Sequence, residues 1–314
     1  MADPATAGAM RIAEPSAEPP QPAPRSWRPA PLIAVSATVH TAAVVALAAA
    51  PRHWPFAVAA LVANHGVLAA AGMWPRSRLL GPNLSRLDAA AARRGEVALT
   101  FDDGPDPRVT PAVLKLLEER GARASFFFIG CRARQHPELV AEVARRGHRV
   151  ENHSYSHSYA FAFFLPAALG RDIDRAQEVL ADATGVRPRH FRAPAGIRSL
   201  LLERELAPRG LALTSWTRRG FDTVSRDPAA VAGRLLRGLA AGDVLLLHDG
   251  SAARDQRGVP VVLEVLPRIL DALAERGLRG VPLPAAGSPE SDGFGGGDGD
   301  SDDHAEGEGE RPAR

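Results

Sequence analysis

The chain has a single cysteine, Cys131, and a single lysine, Lys115. One cysteine excludes an intramolecular disulfide and any multi-cysteine metal site, and it leaves the compartment open. With one lysine, nearly all positive side chains are arginine. A biased composition accounts for that as well as an anionic partner would, so no nucleic-acid partner is inferred. Charge is also missing locally: neither Pro31–Ala50 nor Trp54–Trp74 contains an Asp, Glu, Lys or Arg. Each run reaches the ~20 residues a membrane-crossing helix needs. Acidic residues crowd instead into positions 286–314, where nine Asp or Glu stand against Arg311 and Arg314. The formal net charge of +2 therefore hides a basic body.

What is present is ample for a core, with 45% hydrophobic residues in 314. Residues 1–30, rich in Ala, Pro and Glu without periodicity, read as a disordered leader. Residues 31–75 read as a two-helix membrane anchor, with Trp54 and Trp74 bracketing the second run and Pro51-Arg52-His53 making a tight hairpin. A cleaved signal peptide fits poorly, because the apolar run starts late and a second follows. A pair of Ala-rich core helices is the alternative, since His40, Asn64 and His65 interrupt the runs. Arg25 and Arg28 before the first helix, and Arg76 and Arg78 after the second, outnumber Arg52 between them. The positive-inside rule then puts both ends, and the rest of the chain, on the cytoplasmic face of a bacterial-type inner membrane.

After a linker over 76–94, short apolar runs alternate with amphipathic stretches across 95–285. Strands are predicted at 97–101, 124–129, 149–152, 190–193, 211–216 and 243–247. Helices are predicted at 110–120, 137–146, 170–184, 229–240 and 260–276. That alternation implies an α/β fold with a parallel sheet. Residues 286–314 read as an acidic disordered tail.

Polar clusters follow four of the strands. Thr100-Phe101-Asp102-Asp103-Gly104-Pro105 puts two carboxylates where a strand breaks into a turn; alternation would point them in different directions, one free to hold a metal and the other to move a proton. His153-Ser154-Tyr155-Ser156-His157 spaces two imidazoles by four, on one face if the segment is helical, a geometry that clamps a metal ion. Phe191-Arg192-Ala193-Pro194-Ala195-Gly196 and Leu246-Leu247-His248 complete the set. Clusters at strand carboxyl ends describe one pocket, and a barrel with its site at that face is the natural closure. Two His and one carboxylate suit Zn²⁺ by default, with Co²⁺, Ni²⁺, Mn²⁺ or Fe²⁺ also compatible.

In order and residue type these clusters resemble the motifs of the polysaccharide deacetylase family, also described as the NodB-homology domain or carbohydrate esterase family 4. The resemblance covers roughly residues 95–284. It implies an irregular (β/α) barrel of the NodB-homology type and a metal-dependent hydrolase that removes N-acyl groups, most often N-acetyl, from sugars. By position it implies Asp102 as catalytic base, Asp103 with His153 and His157 as metal ligands, Arg192 as the group orienting the base, and His248 as the acid that protonates the departing amine. The backbone N–H of Ala195 would serve the oxyanion, and Trp216 joins the substrate-contacting set. Ala195 stands where the family usually carries an aromatic residue. In Trp216-Thr217-Arg218-Arg219-Gly220-Phe221-Asp222-Thr223, Arg219 and Thr223 replace an acid and a tryptophan, which leaves Asp222 alone to tune His248. The expected partners are an N-acylated glycan or a lipid-linked amino sugar, and the membrane. A lipid-linked sugar deacetylated or deformylated at the cytosolic face, an O-acetyl esterase, and a silent glycan-binding module are the competing readings. Oligomeric state is not legible.

Overall fold

The computed structural model describes residues 23–284, so the expected acidic tail and most of the expected leader lie outside the described residues. Two helices come first, α1 (Pro31–Ala49) and α2 (Trp54–Met73), joined by a 3-10 turn over Pro51–His53. Both are long and apolar enough to cross a membrane. Their apolar side chains point outward: Val44, Val45, Phe56, Val62 and Val67 are all at least half exposed. Of the polar residues that interrupt the runs, Asn64 faces inward, where its Nδ2 donates to Ser36 Oγ at 2.9 Å, while the rings of His40 and His65 meet edge to face on the exposed side of the pair.

Then follow α3 (Ala89–Arg93), β1 (Glu96–Asp102), α4 (Thr110–Glu119), β2 (Ser125–Phe128), α5 (Gly130–Gln135), α6 (Pro137–Arg145), β3 (Arg149–Asn152), α7 (Pro166–Thr184), β4 (His190–Phe191), α8 (Leu202–Leu206), β5 (Ala212–Leu213), β6 (Arg218–Arg219), α9 (Pro228–Leu236), β7 (Val244–His248), α10 (Val261–Glu275) and β8 (Arg279–Val281). The sheet runs β5-β4-β3-β2-β1-β7-β6, with β8 paired to the start of β1, and every strand pair is parallel. It curls into a half-barrel. Each predicted strand and helix is found, most of them trimmed at the ends; α3, α5, α8, β6 and β8 are additional.

Alternation along β1 explains how the sheet separates core from site. Val97, Leu99 and Phe101 pack outward with Phe126, Phe128, Leu245 and Leu247 against α4, α9 and α10. Each such fully buried side chain contributes on the order of 1.5–3 kcal/mol. Ala98, Phe127, Val244 and Leu246 face the concave side with Trp216, and the same alternation brings Thr100, Asp102 and His248 onto that side.

The half-barrel is bridged by chain expected to be a linker. Leu84 N–H donates to Leu213 O and Ser215 N–H to Leu84 O, while Arg86 pairs with Asp243 ahead of β7. This segment thus spans the gap between β5 and β7. The end of α2 is also seated on the domain. Arg198 N–H donates to Gly72 O at 2.9 Å, its guanidinium reaches Leu80 O and Gly81 O, and Asn83 Nδ2 donates to Pro75 O and Ser77 O. A Cβ on Gly72 would lie 2.9 Å from Arg198 O, so only glycine allows this approach. Arg25, near the end of the expected leader, pairs with Glu203 at 3.3 Å.

Candidate active site

The concave side carries one cluster of ionisable groups at the carboxyl ends of β1, β3, β4 and β7. Asp102 and His248 are register partners on neighbouring strands. Arg192 follows β4, is 1% exposed, and crosses the bowl to Asp102: Nη1 lies 2.5 Å from Oδ1 and 2.9 Å from Thr100 Oγ1. Its remaining donors go to Thr214 O and Ser215 O, and its plane lies 4.0 Å from the Phe127 ring centre. A rigid fork with every edge engaged can hold a carboxylate in only one orientation.

Asp103 does not point away from Asp102 as strand alternation predicts. The chain turns left-handed at Asp103 (φ 71°), which brings both carboxylates within reach of the same imidazole: His153 Nε2 is 3.3 Å from Asp103 Oδ1 and 3.8 Å from Asp102 Oδ2. His157 Nε2 is 3.1 Å from Asp103 Oδ1. The two histidines are not on a helix. Ser154 and His157 both have positive φ (63° and 48°), and the loop is pinned by Asn152 Oδ1 on Ser154 N–H, Asp172 on Tyr155 N–H and Ser154 Oγ on His157 N–H. The described residues include five non-glycine positions at positive φ: these three, Ala195 and Phe221. All lie in or beside the clusters, so the backbone cost, on the order of 1–3 kcal/mol each, is concentrated at the site.

Asp103, His153 and His157 offer ligand atoms within 4.8 Å of one another. His153 Nδ1 lies 2.9 Å from Arg192 O, a group that only accepts, so Nδ1 carries the proton. The lone pair on Nε2 of the neutral ring then faces a carboxylate oxygen, an arrangement that calls for a cation between them. The donor set therefore fits a divalent metal. As a cluster of ions alone it shows the same tension. Burial opposes charge on Asp103, yet hydrogen bonds from His153 and His157 outweigh it and hold its carboxyl far below the usual range. Burial also opposes charge on His153, and Asp102 and Asp103 raise its pKa in spite of it.

On the opposite side His248 Nδ1 is 2.8 Å from Asp222 Oδ1, and the other oxygen of Asp222 accepts from the His248 backbone N–H at 2.8 Å. Nε2 is left to face the bowl. Burial works against the imidazolium, but the charge of Asp222 and its hydrogen bond prevail and the pKa is raised. Ala195 sits at φ 55° in the turn after β4. Trp216, 7% exposed, lies so close to Gly196 that any Cβ there would collide with its ring. Arg219 does not replace the acid it displaces; it lies half-buried between the rings of Trp216 and Phe221.

Two supporting groups carry no signal in the sequence. Arg132 donates to Asp103 O at 2.6 Å and to Gly250 O at 3.0 Å, tying the Asp-Asp turn to the loop after His248. Asp249 is fully buried, accepts from Thr110 Oγ1, and burial pushes its pKa up to about 7. An Arg in an apolar-poor helix and an Asp in a His-Asp-Gly turn carry no periodic signal.

The chain is similar to known proteins. The family described as polysaccharide deacetylase matches residues 89–212. A peptidoglycan-N-acetylglucosamine deacetylase of Bacillus cereus is 33% identical over 185 residues, covering 58% of this chain and 84% of the relative. A chitooligosaccharide deacetylase of Sinorhizobium fredii is 34% identical over 205 residues, covering 59% and 90%. Among solved structures, a family 4 carbohydrate esterase from Streptomyces lividans in complex with acetate is 34% identical with a TM-score of 0.54, covering 59% of this chain and 91% of that one. A peptidoglycan N-acetylglucosamine deacetylase gives 26% identity and a TM-score of 0.59 over 65% of this chain and 92% of that one.

Proposed function

The chain belongs to the polysaccharide deacetylase family, hydrolases of carbon–nitrogen bonds, and on that premise we propose that it removes the N-acetyl group from an amino sugar of a membrane-associated glycan in a divalent-metal-dependent reaction. The observation that carries the reading is the placement of a base and an acid on either side of a three-ligand set. Asp102 is clamped by Arg192 on one side, and His248 is held by Asp222 on the other.

Asp103, His153 and His157 would hold the cation, with Zn²⁺ the default for such donors. When bound, it supplies Lewis-acid activation of water and of the acyl carbonyl. Asp102 takes the proton from the attacking water, in an orientation fixed by Arg192. The left-handed turn at Ala195 presents backbone N–H to the oxygen on which negative charge develops. His248, charged by virtue of Asp222, gives its Nε2 proton to the sugar nitrogen as the C–N bond breaks. The balance is one amide and one water consumed, one acetate and one amine released.

The hairpin of α1 and α2 anchors the enzyme in the cell membrane, and the surplus of Arg25, Arg28, Arg76 and Arg78 over Arg52 favours the cytoplasmic face for the catalytic domain. We assign 31–75 to the anchor and 95–285 to the catalytic domain, with the connecting 76–94 contributing its 83–87 stretch to the sheet. A reporter fused after Gly295 tests the orientation; activity of a periplasm-dependent reporter there would reverse it.

The full chain, purified in detergent, should contain one metal ion by elemental analysis and release acetate from N-acetylated chitooligosaccharides. His153→Ala should lose both. A wild-type protein that stays metal-free on reconstitution and releases nothing would leave a glycan-binding module without catalysis.

A further inference from the structure

A second feature lies beside the site, on its membrane side. Trp74 and Arg76 at the end of α2 face Trp216, Arg218, Arg219 and Arg234 across a groove of about 330 Å³. No carboxylate lines it. Arg218 is occupied by Asp243 and by the carbonyls of Arg237 and Gly238. The other three arginines are not neutralised: among the described residues none of Arg76, Arg219 and Arg234 has an acidic partner. Arg234 donates only to Gly220 O, and Arg219 keeps a buried Nε with no acceptor while its plane rests between two aromatic rings. Three convergent guanidinium groups without an anion, one of them with a buried donor unmet, describe a site for an anion that accepts several hydrogen bonds.

The position of the groove says where that anion comes from. Trp74, which brackets the second apolar run, is 66% exposed, and Met73 and Leu79 beside it are likewise exposed. Trp74 and Trp216 also line a narrow cleft with Gly72, Arg192, Ala193 and Gly196, so the groove adjoins a cleft that reaches Arg192, the residue that holds Asp102. A molecule with its apolar chain along α2 would lay its headgroup across the arginines and its next group toward Arg192. We propose that the groove formed by Arg76, Arg219 and Arg234 binds the phosphate of a lipid-linked amino sugar, so that the substrate is a phosphate-bearing amphiphile rather than a soluble or cell-wall polymer. The arginine at position 219 is then a specificity residue. This inference rests on the deacetylase reading for the sugar and on the groove alone for the phosphate.

The test uses the full chain in nonionic detergent micelles. Binding of farnesyl phosphate, farnesol and phosphatidylglycerol is read by tryptophan fluorescence, in the wild type, Arg76→Gln and Arg219→Gln. Acetate release is measured on prenyl-phosphate-linked N-acetylglucosamine and on N-acetylchitotetraose. Farnesyl phosphate should bind, farnesol should not, and each substitution should weaken binding by about tenfold or more, the usual consequence of losing a charge-assisted contact. KM for the prenyl-phosphate substrate should rise by a similar factor with kcat retained, while chitotetraose turnover stays as in the wild type. Unchanged farnesyl phosphate affinity in both variants would overturn the proposal, as would equal KM increases on both substrates. Equal competition by phosphatidylglycerol would overturn it too, by making the groove a general headgroup contact. Arginine-dependent binding without acetate release from either substrate would remove the deacetylase reading and leave the phosphate site standing.

Discussion

The hairpin and the strand-end site solve opposite solvation problems. In α1 and α2 the exterior is Val, Phe and Leu, and the pair meets through a hydrogen bond between Asn64 and Ser36. In the bowl the interior is ionic: Asp102, Asp103, His153, Arg192, Asp222 and His248 are all under 9% exposed, packed beneath a shell of apolar side chains. Polar groups inside the hairpin are few and neutral, so losing one is tolerable. Those in the bowl are charged and mutually dependent, and removing one leaves another buried without its partner.

The sharpest way to break this contrast is Arg192→Ala. It strands Asp102, and both activity and about 3–5 kcal/mol of stability should be lost, visible as a large fall in the unfolding midpoint; Arg192→Lys should recover little because an ammonium cannot reproduce the fork. Next comes Asp222→Asn, expected to lower kcat by about a hundredfold with metal content unchanged. Its signature is in pH. The raised His248 pKa keeps the imidazolium above the ordinary histidine range, so activity should decline only as pH passes that raised value. Without Asp222, only the charges of Asp102 and Asp103 still oppose burial, and the alkaline limb should move to lower pH; an unmoved limb would sever His248 from the acid step. Gly72→Val tests the seam between the two regions: a Cβ pressed against Arg198 O should cost about 1–3 kcal/mol and expose the 73–82 connection to limited proteolysis. Smallest should be Asn64→Leu, which removes the hydrogen bond to Ser36 for about 0.6 kcal/mol and leaves kcat alone.

Much of the catalytic half was legible because its motifs sit where apolar strands end. In the structure, alternation along β1 keeps Val97, Leu99 and Phe101 off the functional face, but it does not carry past Asp102, where the left-handed turn returns Asp103 to the same imidazole. What stayed hidden was set by contacts distant in sequence. The spacing of His153 and His157 suggests a helix, but left-handed turns at Ser154 and His157, held by Asn152 and Asp172, fold both rings back onto Asp103. Strand β6 is two arginines whose only strand signal is pairing with Leu245 and Leu246. The 83–87 segment looked like a spacer because its role is to bridge a gap between elements more than a hundred residues further on. Arg219 looked like damage to a motif, and its two aromatic neighbours could be seen only in three dimensions.

On the proposed membrane anchoring, the close seating of Gly72 against Arg198 has a kinetic meaning. A catalytic head on a slack tether sweeps a volume and meets substrate at a rate set by bulk concentration. Here the last turn of a helix of 20 residues, ~30 Å long, is bolted to the head beside the cleft it shares with Arg192. The head cannot lift away, so its search is confined to a plane. Turnover should follow the mole fraction of substrate in the surface, falling when inert lipid is added at constant total substrate, as surface dilution demands.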